Sequence, residues 1–123
     1  MNKPSQPVTK SDLSEREREL VKLMQEQNFG RILGLPVQGG QPVLNPPPRI
    51  VKVIKMCGQN GPRPEITKDD FELKLEVRDF FLQIRELPNC VITSVEIAHG
   101  LPIKMTIEEN TAVQQWVGSP FMN

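Results

Sequence analysis

The chain has 123 residues, with 15 Lys and Arg balanced by 15 Asp and Glu, one His, two Cys and no Tyr. Zero formal net charge removes the basic excess that phosphate neutralisation needs, so neither duplex nucleic acid nor an anionic membrane is the expected partner. Two cysteines, Cys57 and Cys90, are too few for a secreted disulfide framework. With no apolar leader, and no apolar run near the roughly 20 residues of a membrane span, the chain reads as one soluble cytoplasmic domain.

Residues 1–10 are polar with two prolines and are expected to form a disordered arm. Ser11–Asn28 reads as the first helix, with Ser14 and Glu17 as a capping box and an apolar stripe of Leu13, Leu20, Val21, Leu23 and Met24. The run Glu15-Arg16-Glu17-Arg18-Glu19 mixes signs at helical spacing and reads as a solvated face. Gly30 is expected to end this helix, Phe29–Gln38 to form a strand, and Gly39-Gly40 to turn the chain. Asn45-Pro46-Pro47-Pro48 interrupts as a rigid connector. Ile50–Met56 then resumes as a strand that either continues the second one or is an extra one.

Cys57–Pro64 is a loop by composition, and no phosphate-cradling glycine motif is present. A second helix is predicted from near Thr67, capped by Thr67 and Asp70, with Ile66 packing on Phe71. Its stripe is Leu73, Val77, Phe80, Ile84 and Leu87, with Phe81 alongside, although Phe71–Leu75 also alternates like a strand. Val91–Glu109 is a β-hairpin around His99-Gly100, where His tolerates and Gly favours positive φ. Simple alternation would put Ile92, Ser94, Glu96 and Ala98 on its outward face. Residues 110–123 form a tail in which Trp116, Phe121 and Met122 are candidate interaction residues.

Gly40-Gln41-Pro42-Val43 lies 60 residues before Gly100-Leu101-Pro102-Ile103. At that offset, without a gap, Leu20 meets Phe80, Met24 meets Ile84, Ile32 meets Ile92, Leu35 meets Val95 and Val37 meets Ile97. The chain therefore reads as one α+β domain over residues 11–109, from pseudo-repeats at about 11–56 and 67–109. Two αββ units would form a mainly antiparallel sheet of four or five strands, with two helices on one face.

For chemistry the sequence offers little. The lone His99 sits in a turn, the carboxylates fall on caps or solvated faces, and no metal-ligand or nucleophile motif appears, so no enzyme activity and no cofactor are expected. Ser14–Met24 resembles the opening of LuxR-type helix-turn-helix regulators, which makes Arg16, Arg18, Lys22 and Arg31 the alternative nucleic-acid contacts. Past Met24 the match fails, because Gly30, Gly34 and Pro36 fall where a recognition helix would lie. Leu20–Val43, through Phe29-Gly30 and Gly39-Gly40, resembles the short uncharacterised bacterial proteins of the YezD type, and Phe80–Ile107 repeats the shape. That resemblance covers about half of the chain and implies an αββ fold and no known activity. The expected function is a protein-interaction module acting as a homodimer through a sheet edge or the tail.

Overall fold

The computed structural model describes residues 7–58, 60–64 and 70–109. The expected cap at Thr67, the Ile66 contact and the tail residues Trp116, Phe121 and Met122 lie outside the described residues. A 3-10 turn at Lys10–Asp12 leads into α1 (Glu15–Gln27), then β1 (Gly30–Gln38), β2 (Gln41–Pro42) and β3 (Arg49–Lys52). The second half runs α2 (Leu75–Arg85), β4 (Cys90–Ala98) and β5 (Leu101–Ile107). The strands form a single antiparallel sheet in the order β2-β1-β4-β5, with β3 also on β1, giving the α+β fold expected from the sequence.

Helix α1 starts where its cap dictates. Ser14 Oγ accepts from Glu17 N at 3.1 Å while the Glu17 carboxylate accepts from Ser14 N at 2.9 Å, satisfying two amides that the first helical turn leaves open. At the other end Asn28, not Gly30, turns the chain with a positive φ, 62° with ψ −56°, as the centre of a γ-turn in which Phe29 N donates to Gln27 O at 2.6 Å. Asn is one of the few residues that tolerate it, and Gly30 is already the first residue of β1.

Helix α2 begins at Leu75, later than its periodicity suggests, and Lys74 is its N-cap without a side-chain cap. The strand-like alternation of Phe71–Leu75 prevails because the first residues of the described chain pair with it. Lys10 N donates to Phe71 O at 2.9 Å, Leu73 N donates to Val8 O at 2.8 Å, and Thr9 bridges Glu72. Val8–Lys10 is thus part of the fold rather than of a disordered arm. Asp70 accepts from Ser11 N and Ser11 Oγ instead of capping a helix.

Strand β3 settles the question left by the prolines, since Arg49–Lys52 pairs with Leu33–Gly30 on the same side of β1 as Gln41–Pro42 pairs with Gln38–Val37. It continues the second strand after an interruption that holds a cis Asn45–Pro46 bond.

Register between β1 and β4 is two-fold symmetric about the 60-residue offset. Moving one partner forward by 60 and the other back by 60 turns Gly30↔Ile97 into Val37↔Cys90, Arg31↔Glu96 into Pro36↔Val91, and Ile32↔Val95 into Leu35↔Ile92, all of them observed pairs. Moving both partners forward by 60 turns the hairpin pairs Val37↔Pro42 and Gln38↔Gln41 into Ile97↔Pro102 and Ala98↔Leu101. Both helices lie on one face, where Leu13, Leu20, Val21 and Met24 meet Leu73, Phe80, Phe81 and Ile84 over Ile32, Leu35, Val37, Ile92, Val95 and Ile97. Each such side chain contributes about 1.5–3 kcal/mol on burial.

The inward residues step by three, not two, across the middle of both central strands. Gly34 adopts φ 68° in β1, and β4 is irregular against β5 between Ile92 and Ser94, so the pleat changes phase there. Consequently Ile92 is fully buried, while Val91, Thr93, Ser94, Glu96 and Ala98 are not, which corrects the outward face expected from alternation.

Candidate functional site

Two places where the halves differ stand out against this symmetry. The first joins the helices. Glu17, expected on a solvated face, is fully buried, because with Leu13, Leu20, Val21 and Met24 it lies on the inward stripe. Arg85 reaches it from α2 with Nη2 2.8 Å from Oε1 and Nε 2.9 Å from Oε2, and Gln41 Nε2 adds a donor at 3.2 Å. Ser14 Oγ in turn donates to Gln41 Oε1. Burial pushes the Glu17 carboxyl up, but the donors from Arg85, Ser14 and Gln41 outweigh it and hold the group below its ordinary value. The Arg85 guanidinium is raised by the same hydrogen bond.

Shifting these residues by 60 positions exchanges Glu17 for Val77, Arg85 for Gln25 and Gln41 for Leu101. There Val77, Gln25 and Leu101 form no counterpart of that ion pair, and a cavity of about 250 Å³ is lined by Val21, Gln25, Leu73, Lys74, Val77 and Leu101 among others. The loop before α2 closes one side of it, since Arg63 N donates to Gln25 O at 3.0 Å and Asn28 Nδ2 donates to Gly61 O at 3.2 Å. His99 turns the second hairpin with φ 55° and packs edge-on against Phe29 at 4.8 Å, and Lys55 Nζ lies 3.9 Å from the centre of that ring. Aromatic and cation–π packing thus fixes the tip of the hairpin.

The second difference is at the sheet edges. In the first half the chain after β2 runs across α1, where Leu44 packs on the core beside Glu19, Leu23, Pro47 and Pro48. In the second half β5 continues for seven residues and, among the described residues, pairs only with β4. A groove of about 360 Å³ lies between β5 and α2, walled by Glu76, Asp79, Phe80, Gln83, Pro102, Ile103, Lys104 and Met105. Ile103 beside it is 54% exposed. Lys104 is held toward the open face by Glu96 at 3.9 Å.

The four candidate nucleic-acid contacts do not share a surface. Arg16 and Lys22 line clefts beside α1 together with Glu19 and, for Lys22, Glu26. Arg18 donates through Nη1 to Leu13 O at 2.5 Å. Arg31 is exposed between buried Gly30 and Ile32, on the sheet face away from both helices. Cys57 is exposed and Cys90 half-buried, both free. Among the described residues no group of three or more His, Cys, Asp and Glu side chains is placed to hold a metal ion, and no helix is long and apolar enough to cross a membrane.

Fold and surfaces together define a small α+β scaffold whose described residues leave β2 and β3 at one edge of the sheet and β5 at the other. Comparison with protein families, with curated proteins and with solved structures finds no match.

Proposed function

We propose that this protein is a non-enzymatic interaction module, built by tandem duplication of one αββ unit, that self-associates through the edge of β5. Support comes from that edge: in the first half the corresponding strand is cut to two residues and its helix-side cleft is lined by Leu44 and the proline run. In the second half seven strand residues stand open beside a groove of mixed polar and apolar lining. Unpaired strand N–H and C=O groups are a template for another strand, and an exposed Ile beside them adds apolar area to bury.

Pro102 lacks an amide hydrogen and confines pairing to the Ile103–Ile107 end. With Met105 opposite Met105 of a second copy, Lys104 would meet Thr106, so no like charges face each other. The tail residues Trp116, Phe121 and Met122, outside the described residues, are further candidates for the interaction. A dimer sealed by strand pairing and apolar contact is insensitive to salt.

Multi-angle light scattering of the full chain tests this. The expected mass is twice 13.9 kDa at low and high salt. Ile103→Lys, at an exposed position, shifts the protein to monomer without loss of its circular dichroism. A wild-type mass of 13.9 kDa at all concentrations would remove self-association. Deletion of Trp116–Asn123 separates the parts: a mass unchanged by it confines the interface to β5.

A further inference from the structure

The loop that folds back onto α1 holds the chain's one Asn-Gly step, Asn60-Gly61. An asparagine side chain is attacked at Cγ by the backbone nitrogen of the next residue when that nitrogen is unhindered and can lose its proton. Three features of the fold meet those needs. Gly61 is exposed, its amide donates no hydrogen bond among the described residues, and a Cβ added there would meet nothing within 4 Å, so the nitrogen is open to base and its backbone has room to move. Lys52 Nζ lies 3.5 Å from Asn60 O, and a positive charge beside that carbonyl stabilises the anion left when Gly61 N gives up its proton. Lys55 N donates to Asn60 Oδ1 at 2.8 Å, where negative charge develops as the nitrogen adds to Cγ. The other described asparagines lack this arrangement. Pro46 after Asn45 has no amide hydrogen, Asn28 is 6% exposed, and Cys90 after Asn89 is held in β4 opposite Val37.

We propose that Asn60 is a site of spontaneous deamidation, promoted by Lys52, and that the change loosens the loop from α1. Hydroxide takes the proton of Gly61 N, and the nitrogen bonds to Asn60 Cγ. The Cγ–Nδ2 bond then breaks, and ammonia leaves with a proton returned by water, which restores the hydroxide. A second water opens the cyclic imide at one of its two carbonyls, giving an aspartate or an isoaspartate at position 60. Either product has lost Nδ2, which donates to Lys55 O at 3.0 Å and to Gly58 O at 3.4 Å. The isoaspartate also adds a carbon to the backbone just ahead of Gly61. Gly61 O accepts from Asn28 Nδ2, and Arg63 N donates to Gln25 O, so the bonds that close the loop on α1 lie directly downstream of the change.

The full chain, folded and unfolded in guanidinium, is incubated at neutral and mildly alkaline pH, and the mass increase from amide to acid is located by peptide mapping. Conversion is expected at Asn60, rising with pH and at least as fast in the folded chain as in the unfolded one. Lys52→Met, at an exposed position, is expected to slow it several-fold in the folded chain and to leave the unfolded rate unchanged. Gly61→Ala, which the open space accommodates, slows it in both. Converted protein and Asn60→Asp are expected to exchange the Arg63 amide hydrogen several-fold faster than the wild type. The proposal is overturned if Asn60 converts more slowly in the folded chain than in the unfolded one, or if Lys52→Met leaves the folded rate unchanged. Exchange at Arg63 that is the same before and after conversion overturns it as well.

Discussion

Arg85 and Glu17 join the two helices through a bidentate contact, Nη2 to Oε1 at 2.8 Å and Nε to Oε2 at 2.9 Å, with the carboxylate fully buried. Removing Arg85 leaves that charge uncompensated inside the protein. Arg85→Ala is therefore expected to destabilise by about 3–5 kcal/mol in chemical denaturation. The second half suggests the remedy, because it carries Val77 and Gln25 at the corresponding positions. Glu17→Val combined with Arg85→Gln should recover most of the loss, and losses that simply add in the double-mutant cycle would show that the pair does not act as a unit.

Acid should weaken the fold through the same carboxylate. Its folded-state pKa is lowered, so its contribution is complete above the unfolded value of about 4.3 and is lost as pH falls through the folded one. Urea midpoints measured downward from pH 6 should fall below about pH 4.3 in the wild type and fall less in Glu17→Gln. Equal acid sensitivity of the two proteins would place the responsible group elsewhere.

Gly40 and Gly100 occupy the same place in their hairpins, with φ 74° and 72°, yet they meet different neighbours. A Cβ at Gly40 would stand 2.8 Å from the backbone oxygen of Arg85, whereas at Gly100 the nearest atom is Cγ of the flexible Arg63 side chain at 2.6 Å. Both Ala variants carry roughly 1–2 kcal/mol of left-handed backbone strain. Gly40→Ala should lose clearly more thermal stability than Gly100→Ala, since helix backbone cannot give way as a side chain can.

The phase step in β4 makes neighbouring residues unequal. Ile92 is fully buried and Val91 is 56% exposed. Ile92→Ala should destabilise by about 2–5 kcal/mol and Val91→Ala by no more than about 0.5 kcal/mol. Similar losses at both positions would contradict the assigned sheet face.

Much of this architecture is legible in the residues themselves. Ser14 with Glu17, the turns at Gly39-Gly40 and His99-Gly100, and the offset that carries Gly40 onto Gly100 all rest on local chemistry, which survives folding unchanged. The burial of Glu17, by contrast, is masked by the alternating charges around it, which hide its place on the Leu13–Leu20–Met24 stripe. Its coincidence with Val77 at the offset was the available signal. The start of α2 depends on Val8–Lys10 pairing with Phe71–Leu73, and the cavity depends on Arg63 and Gly61 folding back onto α1. Such contacts join residues far apart in the chain, and periodicity within one segment carries no trace of them.

The most direct measurement of self-association through β5 is amide hydrogen exchange along Ile103–Ile107 at low and high protein concentration. Pairing with a second copy predicts that β5 amides not bonded to β4 become more protected as concentration rises, while those of β1 stay constant. Protection of β5 that is independent of concentration would contradict the account.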